Sequence, residues 1–297
     1  MTPDALIQFS DLLADNLAEA ATFTVAIRTG RRDRSGILWR DDVVVTSEQI
    51  LPEGPDFIIV RNGTEMPARL AGRDPGTNVA ALRLTHAFGS ARPETAATPR
   101  PGSLALIVGA DSAGPPTGRL GMVHATGPEW HSMAGGRIDA LVRLDARLSA
   151  DEGGPVLTLG GKLIGMSTAG PRRSALVIPA ATIDRVLEPL LTRGSVPRGW
   201  LGVGLQQVLV PHNLQEAAGR HSGMMVVALV PGAPAEQAGV LPGDIILEVD
   251  GRRTGRTRGL GAALAPERIG QPASLKLLRA GAVHMLTVGI GPPPTRT

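Results

Sequence analysis

Three carboxylates and a run of glycines mark the first place to look for chemistry in this chain of 297 residues. The stretch Leu144 to Val156 reads LDARLSADEGGPV, so Asp145, Asp151 and Glu152 lead into Gly153-Gly154-Pro155. Two consecutive glycines before a proline permit a backbone path that a residue bearing a Cβ resists. Proteins use such a path to present one backbone amide or one side chain at the mouth of a site. The side chain presented here is Glu152. The acids alone make a weak cation site, because this loop supplies no further acidic ligands. The six histidines, His86, His124, His131, His212, His221 and His284, form no metal spacing of the H-x-x-x-H kind. The sequence has no cysteine, which excludes a thiolate nucleophile, a disulfide or a Cys-ligated metal within it. No cofactor or metal site is expected.

The elements that must position this loop are short. From Phe23 onward, β-type runs alternate with turn chemistry: Phe23–Ile27, Gly36–Trp39, Val43–Thr46, Phe57–Val60, Ala68–Gly72 and Val79–Leu84. Asn62-Gly63 is a strong tight-turn pair. A proline-rich connector, Ala91 to Gly102, precedes a second series: Leu104–Val108, Gly118–Ala125, Arg137–Leu144, Val156–Leu159, Leu163–Met166 and Ala175–Ile178. Two sets of about six strands at this spacing predict two antiparallel barrels in tandem. Before them, Leu6, Phe9, Leu13, Leu17 and Ala20 share one face of a helix from about Pro3 to Ala20, expected to dock on its own domain. After them, Pro179 to Leu191 predicts a closing helix, with Pro189 counting against regularity near its end.

Bulk composition sets the remaining bounds. The formal charge is +3, and the sequence pI of 10.4 overstates how basic the surface is. With Lys162 and Lys276 the only lysines and no tyrosine, little titrates between neutrality and the arginine range. No run approaches the ~18 apolar residues of a membrane span, and the acidic face of the first helix argues against membrane binding. The first twenty residues lack the features of a signal peptide. With Met1 as the native start, a cytoplasmic protein is expected; with a trimmed start, an extracytoplasmic one.

Past the linker Arg193 to Gly199, the chain carries RGWLGV (Arg198 to Val203), PGAPAEQAG (Pro231 to Gly239) and LPGDIILEVDG (Leu241 to Gly251). Their combination resembles the PDZ domain of the HtrA/Deg proteases, and the strand series before it resembles the trypsin-like domain of that family. The resemblance implies a mainly β chain: an N-terminal helix (1–22), a trypsin-like double β-barrel domain (23–192) and a C-terminal α+β PDZ domain (198–297). It also implies a homo-oligomer, with the first helix among trimer contacts.

The same resemblance locates a catalytic triad and shows it replaced. Where the family has L-T-N-x-H-V, this chain reads VTSEQIL, putting Gln49 in the histidine's place. Where it has G-x-D-x-x-x-D-L-A-V-L, AGRDPGTNVAALRL keeps Asp74 and puts Asn78 at the second acid. Glu152 stands where G-N-S-G-G-P has its serine. Acyl transfer needs a nucleophile, a titratable base and a group to orient it. Gln49 takes no proton in a useful range, Asn78 carries no charge, and the carboxylate of Glu152 repels an oxyanion. Ala150 replaces a glycine whose amide helps form the oxyanion hole, and the distance from Asp145 to the glycine pair is one residue short. The expectation is a catalytically inactive pseudoprotease acting as a chaperone-like or scaffold protein in protein quality control. The alternative is an active endopeptidase with an unconventional or partner-completed site. Gln49 could share its amide hydrogens between Glu152 and Asn78 in an inert chain tying the barrels together, or the three could be independently drifted surface residues.

For the PDZ-like unit, the resemblance implies that the amides of Leu201, Gly202 and Val203, beside Trp200, hold a peptide's terminal carboxylate. The ligand's strand then adds along Val203 toward Gln207. Leu201, Val203, Leu205, Leu260 and Leu264 would line its side-chain pocket. Arg252, Arg253, Arg256 and Arg258 form either a solvated loop or a preference for acidic peptides. No aromatic platform beside them supports nucleic acid as a partner.

Overall fold

The computed structural model of the protein describes residues 3–30, 33–89, 92–132, 134–149, 151–170, 174–254, 261 and 263–293. The chain divides into two compact units, one of Met1–Trp130 with Ile138–Val196 and one of His131–Arg137 with Pro197–Thr297.

In the first unit, β1 (Thr24–Arg28), β2 (Asp33–Arg40), β3 (Val43–Ser47), β4 (Asp56–Arg61), β5 (Thr64–Asp74) and β6 (Val79–Leu84) close into an antiparallel barrel in the order β1-β2-β3-β6-β5-β4. The connector is followed by β7 (Leu104–Gly109), β8 (Thr117–Gly127), the short pair β9 (Trp130–His131) and β10 (Arg137–Ile138), then β11 (Leu141–Arg147), β12 (Pro155–Thr158), β13 (Leu163–Ala169) and β14 (Ser174–Pro179). Six of these close a second barrel, in the order β11-β14-β13-β12-β7-β8. The two six-stranded barrels implied by the strand runs are therefore present. With few aromatics, branched aliphatics fill the interior: Ile27, Ile37, Leu38, Ile59 and Leu82 in the first barrel, Ile107, Val123, Val156 and Val177 in the second.

Two elements differ from the sequence reading for identifiable reasons. The run Arg137–Leu144 breaks into β10 and β11, because Asp139 between them is pinned to the closing helix. Its amide donates to Thr182 Oγ1 at 2.9 Å and its carboxylate pairs with Arg185 at 3.0 Å. That helix, α2 (Ala180–Arg193), runs straight past Pro189 to a left-handed cap at Gly194. Proline forfeits one backbone bond, whereas Ile183, Val186, Leu187 and Leu190 are all fully buried on one face, which outweighs the loss.

The first helix, α1 (Pro3–Ala20), docks only through its last turns. Asn16 Nδ2 donates to the Leu159 carbonyl at 2.8 Å and Ala20 is fully buried, whereas Leu6, Ile7 and Leu12 remain exposed.

The second unit holds a sheet in the order β15 (Val203–Leu209), β16 (Ser222–Leu229), β17 (Ile245–Val249), β19 (Pro272–Arg279), β20 (Ala282–Gly289), with β18 (Arg252–Arg253) paired on β17. Short helices α3 (Gln215–Ala218) and α4 (Pro234–Gln237) accompany it. Leu201, Val226, Ile246, Val249, Leu275 and Val288 pack as its core. Asp244, 1% exposed, accepts two bonds from Arg279, and those bonds raise the guanidinium's pKa above its ordinary value.

Candidate functional site

The cleft of the first unit is built by turns at the ends of strands. Strand β3 ends in a single turn of 3-10 helix, Glu48–Ile50, which carries Gln49 outward. Opposite it, the β5–β6 turn is closed by Asp74. Its carboxylate accepts the Gly76 and Thr77 amides, each at 3.1 Å, and the Thr77 hydroxyl at 2.6 Å. The turn places Asn78 in a left-handed conformation, φ 58°, which Asn tolerates better than most side chains. Thus Asp74 shapes the turn that presents Asn78.

The loop carrying Glu152 is held from three directions. Asp151 accepts from Arg119 Nε at 3.0 Å and from the Ser149 amide at 2.7 Å. The Ser167 hydroxyl donates to the Asp151 carbonyl at 2.7 Å, and the Gly153 amide donates to the Ser167 carbonyl at 2.9 Å. The glycine pair is required by space as well as by path. A Cβ on Gly154 would lie 1.9 Å from the Val108 carbonyl oxygen, and one on Gly153 would lie 2.3 Å from that of Ser35, with φ at +90°. Such approaches admit no side chain. Asp151, committed to Arg119 and Ser149, is not free for a cation, and among the described residues no cluster of acids and histidines could hold a metal.

Glu152 is the hub on which both barrels converge. Its Oε1 accepts from Gln49 Nε2 at 2.5 Å, Ser47 Oγ at 3.2 Å, Thr168 Oγ1 at 3.3 Å and the Ala169 amide at 3.0 Å. Asn78 joins otherwise than by the expected sharing of the Gln49 side-chain amide. Its Oδ1 accepts the backbone amide of Gln49 at 2.8 Å, and its Nδ2 donates to Ser47 Oγ at 3.0 Å and Thr168 Oγ1 at 2.5 Å. The Gln49 side chain thus reaches Glu152 directly, while Asn78 is linked to it through Ser47, Thr168 and the Gln49 main chain. Ser47 and Thr168, residues that pattern reading passed over, carry the center of this network; their only sequence signal was a polar residue at a fully buried strand end.

Chemically, the cleft offers acceptors and amides. Ser47 is fully buried and Thr168 is 3% exposed, so neither hydroxyl reaches a substrate. No histidine lines the described cleft. The pairing of a ring nitrogen and a hydroxyl at His86 and Thr85, 3.2 Å, joins two exposed sequence neighbours elsewhere. Ala150, the residue expected to spoil the oxyanion hole, lies outside the described residues.

In the second unit, β15 pairs only with β16 among the described strands, so its other edge is open. The preceding loop is folded tightly: Trp200 and Gly291 exchange backbone bonds at 2.8 and 3.0 Å. The Leu201 and Gly202 carbonyls accept from Ala235 and Val230, both at 2.9 Å. Among the described residues, neither the Leu201 nor the Gly202 amide donates to any acceptor. Gly202 sits at φ +76°, with the Trp200 ring and Ala233 against it. Val203, Leu205 and Leu264 are half-buried, while Leu201, 2% exposed, belongs to the core. Arg252 and Arg253 are exposed on β18. Burial, with the nearby charge of Arg253, lowers the pKa of Arg220. Leu260, Arg256 and Arg258 lie outside the described residues.

Residues 34–166 match the trypsin-like peptidase domain family, and residues 199–290 match the PDZ domain family. A probable periplasmic serine endoprotease DegP-like of Rhizobium meliloti (strain 1021) is 30% identical over 267 residues, spanning 86% of this chain and 52% of the relative. A putative serine protease HhoB of Synechocystis sp. is 28% identical over 277 residues, spanning 87% of this chain and 66% of the relative. The chain thus spans about half the length of the DegP-like relatives it matches. Among solved structures, the HtrA-type protease AlgW with a tripeptide superposes with a TM-score of 0.70 at 25% identity, over 96% of this chain and 98% of that one. AlgW with a decapeptide gives 0.72 at 23% identity, over 96% and 99%. The DegP-like relatives are named periplasmic, which overturns the expectation of a cytoplasmic protein. That expectation rested on where the sequence begins, which is no guide to the compartment.

Proposed function

The chain belongs to the HtrA family, and we propose that it is a catalytically inactive member that binds protein C-termini or unfolded segments. One observation carries the first half: the place of the nucleophile holds Glu152, whose carboxylate is tied inward by four donors. The exposed hydroxyl of Ser149 is held by the Asp151 carboxylate at 3.0 Å, which is itself engaged by Arg119, no histidine lines the described cleft, and a fixed carboxylate at Glu152 disfavours an oxyanion. The network replaces proton transfer with a bond set that joins the two barrels. The names of the relatives favour an active endopeptidase, but no histidine stands among the described residues of this cleft to supply that chemistry.

The second half rests on the loop before β15. Two amides without acceptors and a strand edge without a partner, both among the described residues, together with a glycine at positive φ, suit a terminal carboxylate followed by an added strand. Solved relatives hold a tripeptide or a decapeptide, consistent with that use of the fold. A chaperone-like or scaffold role follows, in an extracytoplasmic compartment like that of the relatives, with Leu6, Ile7 and Leu12 available for homo-oligomer contacts.

Fluorescence anisotropy of labelled peptides with the full chain tests the binding half. Peptides with a free C-terminal carboxylate are expected to bind at least tenfold tighter than their amidated counterparts. Equal affinity for the two forms contradicts the carboxylate loop. A serine-reactive fluorophosphonate tests the other half, with no labelling expected.

A further inference from the structure

The four bonds to Glu152 all fall on one oxygen. Oε2 accepts none among the described residues, yet it is not sealed from solvent, and Glu152 lines a cleft of about 820 Å³. The residue as a whole is only 8% exposed, so this is a nearly buried acid with one oxygen left without a partner among the described residues. Gln49 adds a second acceptor. Its Nε2 is spent on Glu152, Thr168 and the Ala169 carbonyl, which leaves its Oε1 without a donor at the same cleft. At Glu152 and Gln49, then, the donors are used inward, and one acceptor of each side chain is left over.

The charges of the described lining agree. Asp33, Asp111 and Glu152 stand against Arg34 alone. Asp33 accepts the Ser112 amide at 2.7 Å and Asp111 the Ala113 amide at 2.8 Å, each through one oxygen. Neither is paired with a cation among the described residues. The Arg34 side chain makes no ion pair or hydrogen bond among the described residues; its Nε is sealed from solvent, so any donation to a peptide carbonyl falls to its terminal nitrogens. An alkyl stem also has a wall to lie on, since Ile50 and Leu148 line the cleft.

From this geometry we infer that the former catalytic cleft is a second peptide site, which takes a basic side chain, with the cation on Glu152 Oε2 and Gln49 Oε1. An ammonium supplies three donors to outward acceptors that have none, and a charge-assisted bond to a half-enclosed carboxylate is the strongest contact available there. The inference rests on the cleft being unable to cut what it holds.

The test uses the full chain and fluorescent hexapeptides with amidated C-termini, which lack the carboxylate that the PDZ loop needs. One carries a central lysine and the other acetyl-lysine, which keeps the stem and removes the charge. The lysine peptide is expected to bind at least tenfold tighter, and excess free-carboxylate peptide is expected not to displace it. Glu152→Gln should abolish the preference, because the glutamine oxygen would take the inward donors and turn an NH₂ to the cleft. Equal binding of the two peptides, or a preference that survives Glu152→Gln in folded protein, overturns the inference. Mass spectrometry of the recovered peptides separates the two readings. Intact peptides without a lysine preference sink this inference alone, whereas cleaved peptides sink it together with the inactive-protease reading.

Discussion

On the proposed reading, the cleft between the barrels and the loop before β15 would serve the same kind of partner by different means. A peptidase cleft works through side chains: a nucleophile, a base and an orienting acid. The loop works through main-chain amides on a glycine turn. On the proposed reading, three residues, Gln49, Asn78 and Glu152, change the chemistry of the first, while the barrels around it close. The second keeps its donors whatever the neighbouring side chains are, provided that Gly202 remains glycine. If that reading holds, side-chain function is the more easily lost of the two, and backbone function depends only on the fold.

The comparison can be broken most sharply at its glycines. Gly154→Ala places a methyl against the Val108 carbonyl; it is expected to destabilise the first unit by about 3 kcal/mol, read by thermal unfolding. Gly202→Ala strains a positive φ and meets Ala233. It should weaken binding of free-carboxylate peptides more than tenfold while leaving the unfolding of the first unit unchanged. If both properties survive these changes, the contrast between the regions is wrong.

Smaller effects sharpen it. Glu152→Ala strands four donors at a nearly buried position and should cost roughly 2–3 kcal/mol, against about 1 kcal/mol for Glu152→Gln, which keeps an acceptor. Denaturant unfolding of the two variants checks that order, and equal losses would mean the hub is not structural. The combination Gln49→His, Asn78→Asp and Glu152→Ser is expected to give no turnover of an unfolded substrate, because it restores side chains without restoring the loop. Neutralising Arg252 and Arg253, both exposed, should change affinity for acidic peptides only a few-fold and only at low salt.

Much of this was legible in the sequence. Alternating runs and turn pairs marked the barrel strands, and the glycine pair before Pro155 marked a path that no side chain could follow. What the sequence concealed is longer in range. Nothing local announces that Asp139 will be pinned to Thr182 and Arg185, splitting one run into two strands. Nor does it show that Pro189 will be overridden by the buried face of its own helix. In the cleft, the resemblance to the HtrA family named Gln49, Asn78 and Glu152, but Ser47 and Thr168 entered only when two barrels brought positions 121 residues apart within 3.3 Å. Hydrogen-bond partners across a barrel interface depend on register and twist, which a single strand's pattern does not encode.

The central claim, that this cleft holds polypeptide without cutting it, is tested most directly by incubating the purified chain with an unfolded protein and following fragments by mass spectrometry. The account predicts an intact substrate at every time point, with the Glu152→Ala variant indistinguishable from the unmodified chain. Fragments that accumulate with the unmodified chain and disappear with Glu152→Ala or Gln49→Ala would contradict it.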